Sequence, residues 1–307
     1  MQDGRPAEQI HASVLLPECL HYLAPQAGGI YVDGTLGLGG HTEALLAASA
    51  PDGRVIAFEW DDRAVQLSLE RLAGYENRLT VVRRNFAELA AGLDELGIDR
   101  IDGLLIDIGL SSLQLDMGER GFSFQSNEIL DMRMDNRSKT TAQTILASGS
   151  EQELADIFYY YGEERQARPI AAAIVEYRKK EEIQTTKQLV ALIARAVPKR
   201  FHPKKIHVAT RVFQALRIAV NMELENLARI LDDGVRYLKP GANFCVISFH
   251  SLEDRIVKRK FRNNQMLEVL TGKPVMSSPE EIAVNPRSRS ARLRVARKRN
   301  KPVGGAV

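Results

Sequence analysis

The segment Tyr31–Leu45, YVDGTLGLGGHTEAL, sets Gly34, Gly37, Gly39 and Gly40 between an apolar strand-like run and an alanine- and leucine-rich helical one. Glycine loses more backbone freedom on folding than any other residue, so its clustering here implies that something must approach this backbone closely. At the carboxyl end of the first strand of a wound sheet, that partner is a nucleotide-type ligand at the amino end of the next helix. The plainer reading is a tight turn with no ligand. Three groups at other predicted strand ends favour the ligand. Glu59, in FEWDD, follows the loop at the separation where an acid accepts hydrogen bonds from ribose hydroxyls. Phe86, in RNF, is placed to lie against an adenine face, and Asp107 closes IDGLLID at the edge of the same crevice. Core packing for Phe86 and helix capping for Asp107 are the alternatives.

Spacing narrows the ligand. A dinucleotide fingerprint needs G-x-G-x-x-G; Gly37 and Gly39 fit, but Thr42 stands where the third glycine belongs. A P-loop fails too, because no G-K-[ST] follows. A ligand with ribose and adenine but no diphosphate fits better, which points to S-adenosylmethionine and away from a nicotinamide cofactor.

The elements that must position these groups alternate. GIYVDGT, GRVIAFEWD, RLTVVRRNF and IDGLLIDIG read as strands, with helices HTEALLAAS, DRAVQLSLERLAG and FAELAAGLDELG between them. That rhythm predicts an α/β fold with a parallel sheet covered by helices. The fourth strand is apolar almost throughout, as expected when both faces are covered. The polar stretch from Ser111 to Thr141 breaks the rhythm and reads as a long ordered loop. Helices follow: EQELADIFYYYG, with Leu154, Ile157, Phe158 and Tyr161 on one stripe and Tyr159 and Tyr160 off it, then RPIAAAIVEYRKK and TTKQLVALIARAVP. One long helix, TRVFQALRIAVNMELENLARIL, returns the chain to the sheet. A fifth strand in LKPGANFCVISFHS comes next, then a helix SLEDRIVKRKF capped by Ser251 with Asp254 three positions on. ARLRVARK closes the fold as a strand with arginines on one face. The predicted organisation is a ligand-binding core, 1–114 plus 209–307, interrupted by an all-helical insertion, 115–208.

Composition agrees with a folded globular chain: 307 residues, 44% hydrophobic and 26% charged. No apolar run approaches the roughly 20 residues that span a bilayer, and the first residues lack the pattern of a secretory signal. Cys19 and Cys245 stand far apart, without metal-ligand spacing. These features predict a reduced cytoplasmic protein with two structural thiols, no membrane partner and no bound metal. The net charge of +3 is unevenly spread. NPRSRSARLRVARKRNK and VPKRFHPKKIHVATR are basic runs, and two of them in a near-neutral chain predict a polyanionic partner.

Beyond these readings, HASVLLPECL, YVDGTLGLGGHT, DGLLIDIGLSSLQLD, RGFSF, LDMRMD, YGEER, ATRVFQALRIAVN, LKPGA, ISFHSLEDRIVK and NPRSRSARLRV occur in this order. From about His11 to Val295 the chain resembles the bacterial ribosomal small-subunit RNA methyltransferase H family. The resemblance implies a Rossmann-like class I methyltransferase sheet with an inserted helical domain that recognises substrate. It also implies S-adenosylmethionine-dependent N4-methylation of a cytidine in the decoding region of small-subunit ribosomal RNA, within an assembled or late-assembling subunit. Family cofactor contacts fall on Gly39, Gly40, His41, Glu59, Phe86, Asp107 and Gln114. The chain departs from the family at Glu59, where Asp is usual, at Leu113, where Pro is usual, and around Gln166 and Pro169.

A cytosine N4 amine is a poor nucleophile, so the site must position it and accept its developing positive charge. The Asp/Asn-Pro-Pro-aromatic motif common in amino-methyltransferases is replaced here by DIGLSS. Asp107, Ser248 and His250 are candidates to face the base, and the sequence assigns no catalytic base among them. An RNA-binding assembly factor that holds the cofactor without turnover stays open, as does a homodimer.

Overall fold

The computed structural model describes residues 13–109 and 120–302. The chain forms two compact units, Met1–Ser112 with Leu224–Val307, and Leu113–Glu223. The first begins with α1 (Leu16–Leu23), β1 (Ile30–Asp33), α2 (Gly40–Ala48), β2 (Arg54–Phe58), α3 (Asp62–Arg71), β3 (Leu79–Val82), α4 (Leu89–Glu95) and β4 (Ile101–Asp107). β4 buries Ile101, Leu104, Leu105 and Ile106 completely, which is why its sequence is apolar rather than alternating. α3 starts where the Asp61 carboxylate accepts the amides of Arg63 and Ala64, and it turns Ala64, Val65 and Ser68 inward.

The second unit contains a stretch from Arg120 to Thr141 tied by polar bonds. Asp131 takes a two-pronged ion pair from Arg133 at 2.7 Å, and Glu128 accepts the Gly121 amide at 2.8 Å. Its helices are α5 (Ala142–Ser148), α6 (Glu151–Tyr160), α7 (Ala167–Arg178), α8 (Thr186–Ala196) and α9 (Thr210–Asn221). Thr141, Ser150 and Thr185 each form a capping box that starts a helix. Leu154, Phe158, Ile170, Ile174, Leu189, Ile193 and Leu216 close around one dry core.

The first unit resumes in α10 (Glu223–Tyr237) and continues through β5 (Leu238–Ser248), α11 (Ser251–Asn263), β6 (Leu267–Val269), β7 (Val275–Met276), α12 (Pro279–Val284) and β8 (Arg292–Lys298). The sheet order is β3-β2-β1-β4-β5-β8-β6, with β7 added on β8. The first five strands run parallel, and β8 pairs antiparallel with β5. Strand order reverses between β1 and β4, so the carboxyl ends of these two strands flank the crevice where such sheets bind ligands.

Three expectations need correction. The single long helix is two: Met222 takes a left-handed conformation, φ 50°, and ends α9. Its neighbour Asn221 is committed sideways, donating to the Met132 carbonyl and accepting the Met134 amide, both at 2.8 Å. The second domain boundary moves with it. α9 buries Val212, Phe213 and Leu216 in the helical core, so the helical unit ends at Glu223 and not at residue 208. Finally, the cap of α11 lies one residue earlier than expected, on His250 with Glu253. Asp254 instead holds Arg294 of β8 in a two-pronged pair at 2.6 and 3.1 Å.

Candidate functional site

The glycine loop is shaped by the protein before any ligand enters. Gly34 lies so close to β4 that a Cβ there would stand 2.2 Å from the Ile106 side chain. Gly37 and Gly39 have φ of 51° and 82°, a region that costs side-chain-bearing residues 1–2 kcal/mol or so. Gly39 then serves as the N-cap of α2, and no side chain caps that helix. The first amides of α2, at Gly40, His41 and Thr42, therefore form an uncapped positive end suited to an electron-rich ligand group.

Acids on neighbouring strand ends hold this loop. Asp33 is fully buried and accepts the Thr35 amide at 3.0 Å and the Thr42 hydroxyl at 2.8 Å. The Thr35 hydroxyl in turn accepts the Asp107 amide at 2.7 Å, which ties the end of β4 to the end of β1. Glu59, 9% exposed, accepts the Gly37 amide on Oε2 at 3.0 Å and the Trp60 and Asp61 amides on Oε1, each at 2.9 Å. The extra methylene of Glu over Asp lets the carboxylate reach across to the loop. Oε1 is then saturated, while Oε2 keeps a second lone pair. Burial raises the Glu59 pKa to about 7, against the three amides that favour its charged form.

Asp107 keeps 24% of its side chain exposed, yet its Oδ1 is covered and has no partner. Burial raises its pKa to about 7, and the carboxylates of Asp33 and Glu253 add to the rise while His41 opposes it. His41 is 6% exposed; its Nε2 lies 3.0 Å from the Val14 carbonyl and its Nδ1 3.8 Å from Asp107 Oδ2. Phe86 follows β3 in a short 3-10 turn and packs half-buried on the sheet core beside Gly34.

The first unit thus brings Gly39, Gly40, His41, Glu59, Phe86 and Asp107 to the carboxyl ends of β1 to β4. Gln114 and Leu113 lie outside the described residues. Sequence reasoning passed over Asp33 and Glu253. Asp33 had a signal, a carboxylate between a strand and a glycine with threonines two and nine positions on. Glu253 is 1% exposed and accepts the Phe249 and His250 amides, so its Oε2 holds the turn after β5. A shallow hollow of about 500 Å³ near Asp94, Arg100, Arg236 and Tyr237 lies at the opposite, amino edge of β4 and β5.

The basic runs divide in role. Lys199, Arg200, Lys204 and Lys205 are all exposed on the helical unit. The tail arginines are partly structural: Arg294 is 5% exposed on Asp254, Arg299 donates to the Leu267 carbonyl, and Lys298 donates to the Val235 carbonyl. The two faces of β8 are used differently, since Arg297 turns away from Arg294 to Asn243. Cys19 and Cys245 are buried free thiols, and burial pushes both pKa values up. Among the described residues no helix is long and apolar enough to cross a membrane.

A parallel 3-2-1-4-5 sheet extended by an antiparallel strand, with an uncapped glycine turn after β1 and acids after β2 and β4, defines a Rossmann-like methyltransferase-type fold. The chain belongs to the MraW methylase family, whose pattern matches residues 8–299. It is 69% identical over 292 residues to "Ribosomal RNA small subunit methyltransferase H" of Desulfotalea psychrophila, covering 95% of this chain and 99% of that protein. It is 53% identical over 306 residues to the protein of the same name from Geotalea uraniireducens, covering 94% and 98%. A solved SAM-dependent O-methyltransferase from Thermotoga maritima aligns with 98% of this chain and 68% of its own, at 13% identity and a TM-score of 0.44.

Proposed function

We propose that this protein transfers a methyl group from S-adenosylmethionine to the N4 amine of a cytidine in small-subunit ribosomal RNA, at the decoding region. One observation carries the reading: an uncapped helix start beside Glu59 and an Asp107 oxygen without a partner, all on the crevice of a sheet from the MraW methylase family. These groups fit the cofactor. Glu59 Oε2 would take a ribose hydroxyl, Phe86 would lie on the adenine, and the α2 amides would face the ligand's electron-rich atoms. Gly39, Gly40, His41 and Gln114 complete the proposed set. The cofactor supplies an electrophilic methyl on a sulfonium. Glu59 and Asp107 would present carboxylate oxygens to that cation, and no diphosphate would be welcome beside them.

The helical unit would recognise RNA. Tyr159 and Tyr160 are 56% and 63% exposed and can stack on bases, while Lys199, Arg200, Lys204 and Lys205 can meet phosphates. The target base would be taken out of its stack to reach the crevice. An assembled or late-assembling subunit, a homodimer and a cytoplasmic location complete the proposal.

The test is to incubate the protein with radiolabelled S-adenosylmethionine and small subunits that lack the modification, then digest the RNA to nucleosides. Label in N4-methylcytidine is expected. Cofactor binding without label would instead make the protein an assembly factor.

A further inference from the structure

The ring of His41 has a determined proton arrangement. A carbonyl oxygen only accepts hydrogen bonds, so the Nε2 that lies 3.0 Å from the Val14 carbonyl must carry a hydrogen. In the neutral ring the other nitrogen, Nδ1, then presents a lone pair to Asp107 Oδ2 across 3.8 Å. Two acceptors facing each other repel, so a proton arriving on Asp107 Oδ2 relieves that repulsion. Asp107 Oδ1 is buried there without a hydrogen bond, while beyond it His250 Nε2 and Glu253 Oε1 lie 2.9 Å apart and satisfy each other. Asp107 pairs in register with Ile247 of β5, whose strand leads into His250, so these atoms lie on adjoining strand ends. Unmet buried acceptors are costly unless a donor arrives. An exocyclic amine brings two N–H donors.

We propose that Asp107 accepts the proton released by the target amine, and that the His41 ring, whose Nδ1 faces Asp107, is the positioning residue that tunes it. This rests on the methyltransferase reading above. The nitrogen lone pair forms the new N–C bond as the methyl's bond to sulfur breaks, and that electron pair stays on sulfur as a neutral thioether. The nitrogen then bears a methyl, two hydrogens and a positive charge. One hydrogen passes to Asp107 Oδ2 as a proton, on the oxygen that faces His41 Nδ1 across 3.8 Å. The N–H electrons return to nitrogen, leaving a neutral methylamino group. The ionisable groups that face Asp107 are His41 from α2, Asp33 from β1, Glu253 from α11 and the Cys19 thiol from α1. His41 is the one that can bear positive charge, so its loss raises the proton affinity of Asp107.

The experiment measures single-turnover methyl transfer to small-subunit RNA at saturating cofactor, as a function of pH, with cofactor affinity read by calorimetry on the same samples. His41→Gln keeps an amide donor for the Val14 carbonyl but has no imidazole facing Asp107; His41→Leu fills the space with no donor and serves if the first variant does not fold. In either variant the acidic limb of the rate profile moves up by about one pH unit, because the one group that lowers the Asp107 pKa is gone. Asp107→Asn loses about 100-fold or more in transfer rate, the range of a lost general base. An unmoved acidic limb, or an Asp107→Asn rate within about threefold of wild type, overturns the proposal. Wild-type protein that binds cofactor yet transfers no label overturns the methyltransferase reading itself.

Discussion

Replacing Glu59 by Gln tests the ribose contact without emptying the space. The amide oxygen keeps the Trp60 and Asp61 amides, and the new NH2 group falls where Oε2 now accepts the Gly37 amide at 3.0 Å. A donor cannot accept a ribose hydroxyl's hydrogen, so one charge-assisted bond to the ligand is lost, worth about 1.5–3 kcal/mol. S-adenosylmethionine should therefore bind roughly 10- to 150-fold more weakly at pH 8. The pH dependence makes the test sharper. Glu59 has a pKa of about 7 in the free protein. The bound form needs the carboxylate, so wild-type affinity falls about tenfold between pH 8 and pH 6 as the proton must be expelled. The variant has no such proton. The ratio of the two affinities should shrink about tenfold over that interval, and titration of the ligand or of Asp107 cancels in that ratio. For stability the sign is opposite. An acid whose folded pKa lies above its unfolded value favours folding below the unfolded pKa, and that contribution is lost as pH rises toward 7. Calorimetric titration at both pH values measures the ratio. A ratio independent of pH, or an affinity at pH 8 equal to wild type, would refute the assignment of Glu59 to the ribose.

Four further outcomes are expected. Arg294→Ala leaves Asp254 without its buried two-pronged partner and should cost about 3–5 kcal/mol in denaturant unfolding. Phe158→Ala empties a fully buried site in the helical core and should cost about 3–5 kcal/mol, whereas exposed Tyr160→Ala should stay within about 0.5 kcal/mol. Lys204→Ala with Lys205→Ala should reduce the slope of log affinity for single-stranded RNA against log salt by about 1.4, or 0.7 per phosphate contact. Gly39→Ala forces a side chain into φ 82° and 2.9 Å from Leu72 Cδ1, so the loop must shift. Cofactor affinity should fall about tenfold or more, as a roughly 1–2 kcal/mol strain is relieved only by moving the α2 amides; calorimetry reads it.

Much of this was legible in the sequence because it is local. The strand-helix alternation and the apolar run of β4 follow from periodicity, and the glycine turn follows from residues whose neighbours in sequence are their neighbours in space. The same holds for the stripe of Leu154, Ile157 and Phe158 and for the exposure of Tyr159 and Tyr160. What was not legible depends on distant partners. Nothing in TRVFQALRIAVNMELENLARIL announces a break at Met222. It comes from Asn221 bonding to Met132 and Met134, far back in the chain. The tail reads as a uniform basic run, yet Arg294 is sequestered by Asp254 while Arg297 turns to Asn243.

The glycines of the loop have a cause that their sequence did not name. Gly34 is small because Ile106 lies against it, and Gly39 because its backbone is left-handed beside Leu72. Protein packing therefore sets the loop, and the opening for a ligand is what remains: an α2 start with no capping side chain. A capping serine or aspartate at that position would have satisfied the helix and closed the site. With glycine there, the α2 amides stay available, and the acids after β1, β2 and β4 determine the charge of what can bind them. The binding preference of this crevice thus follows from the joint placement of an uncapped helix and buried carboxylates, and neither feature alone would separate a sulfonium nucleoside from a diphosphate.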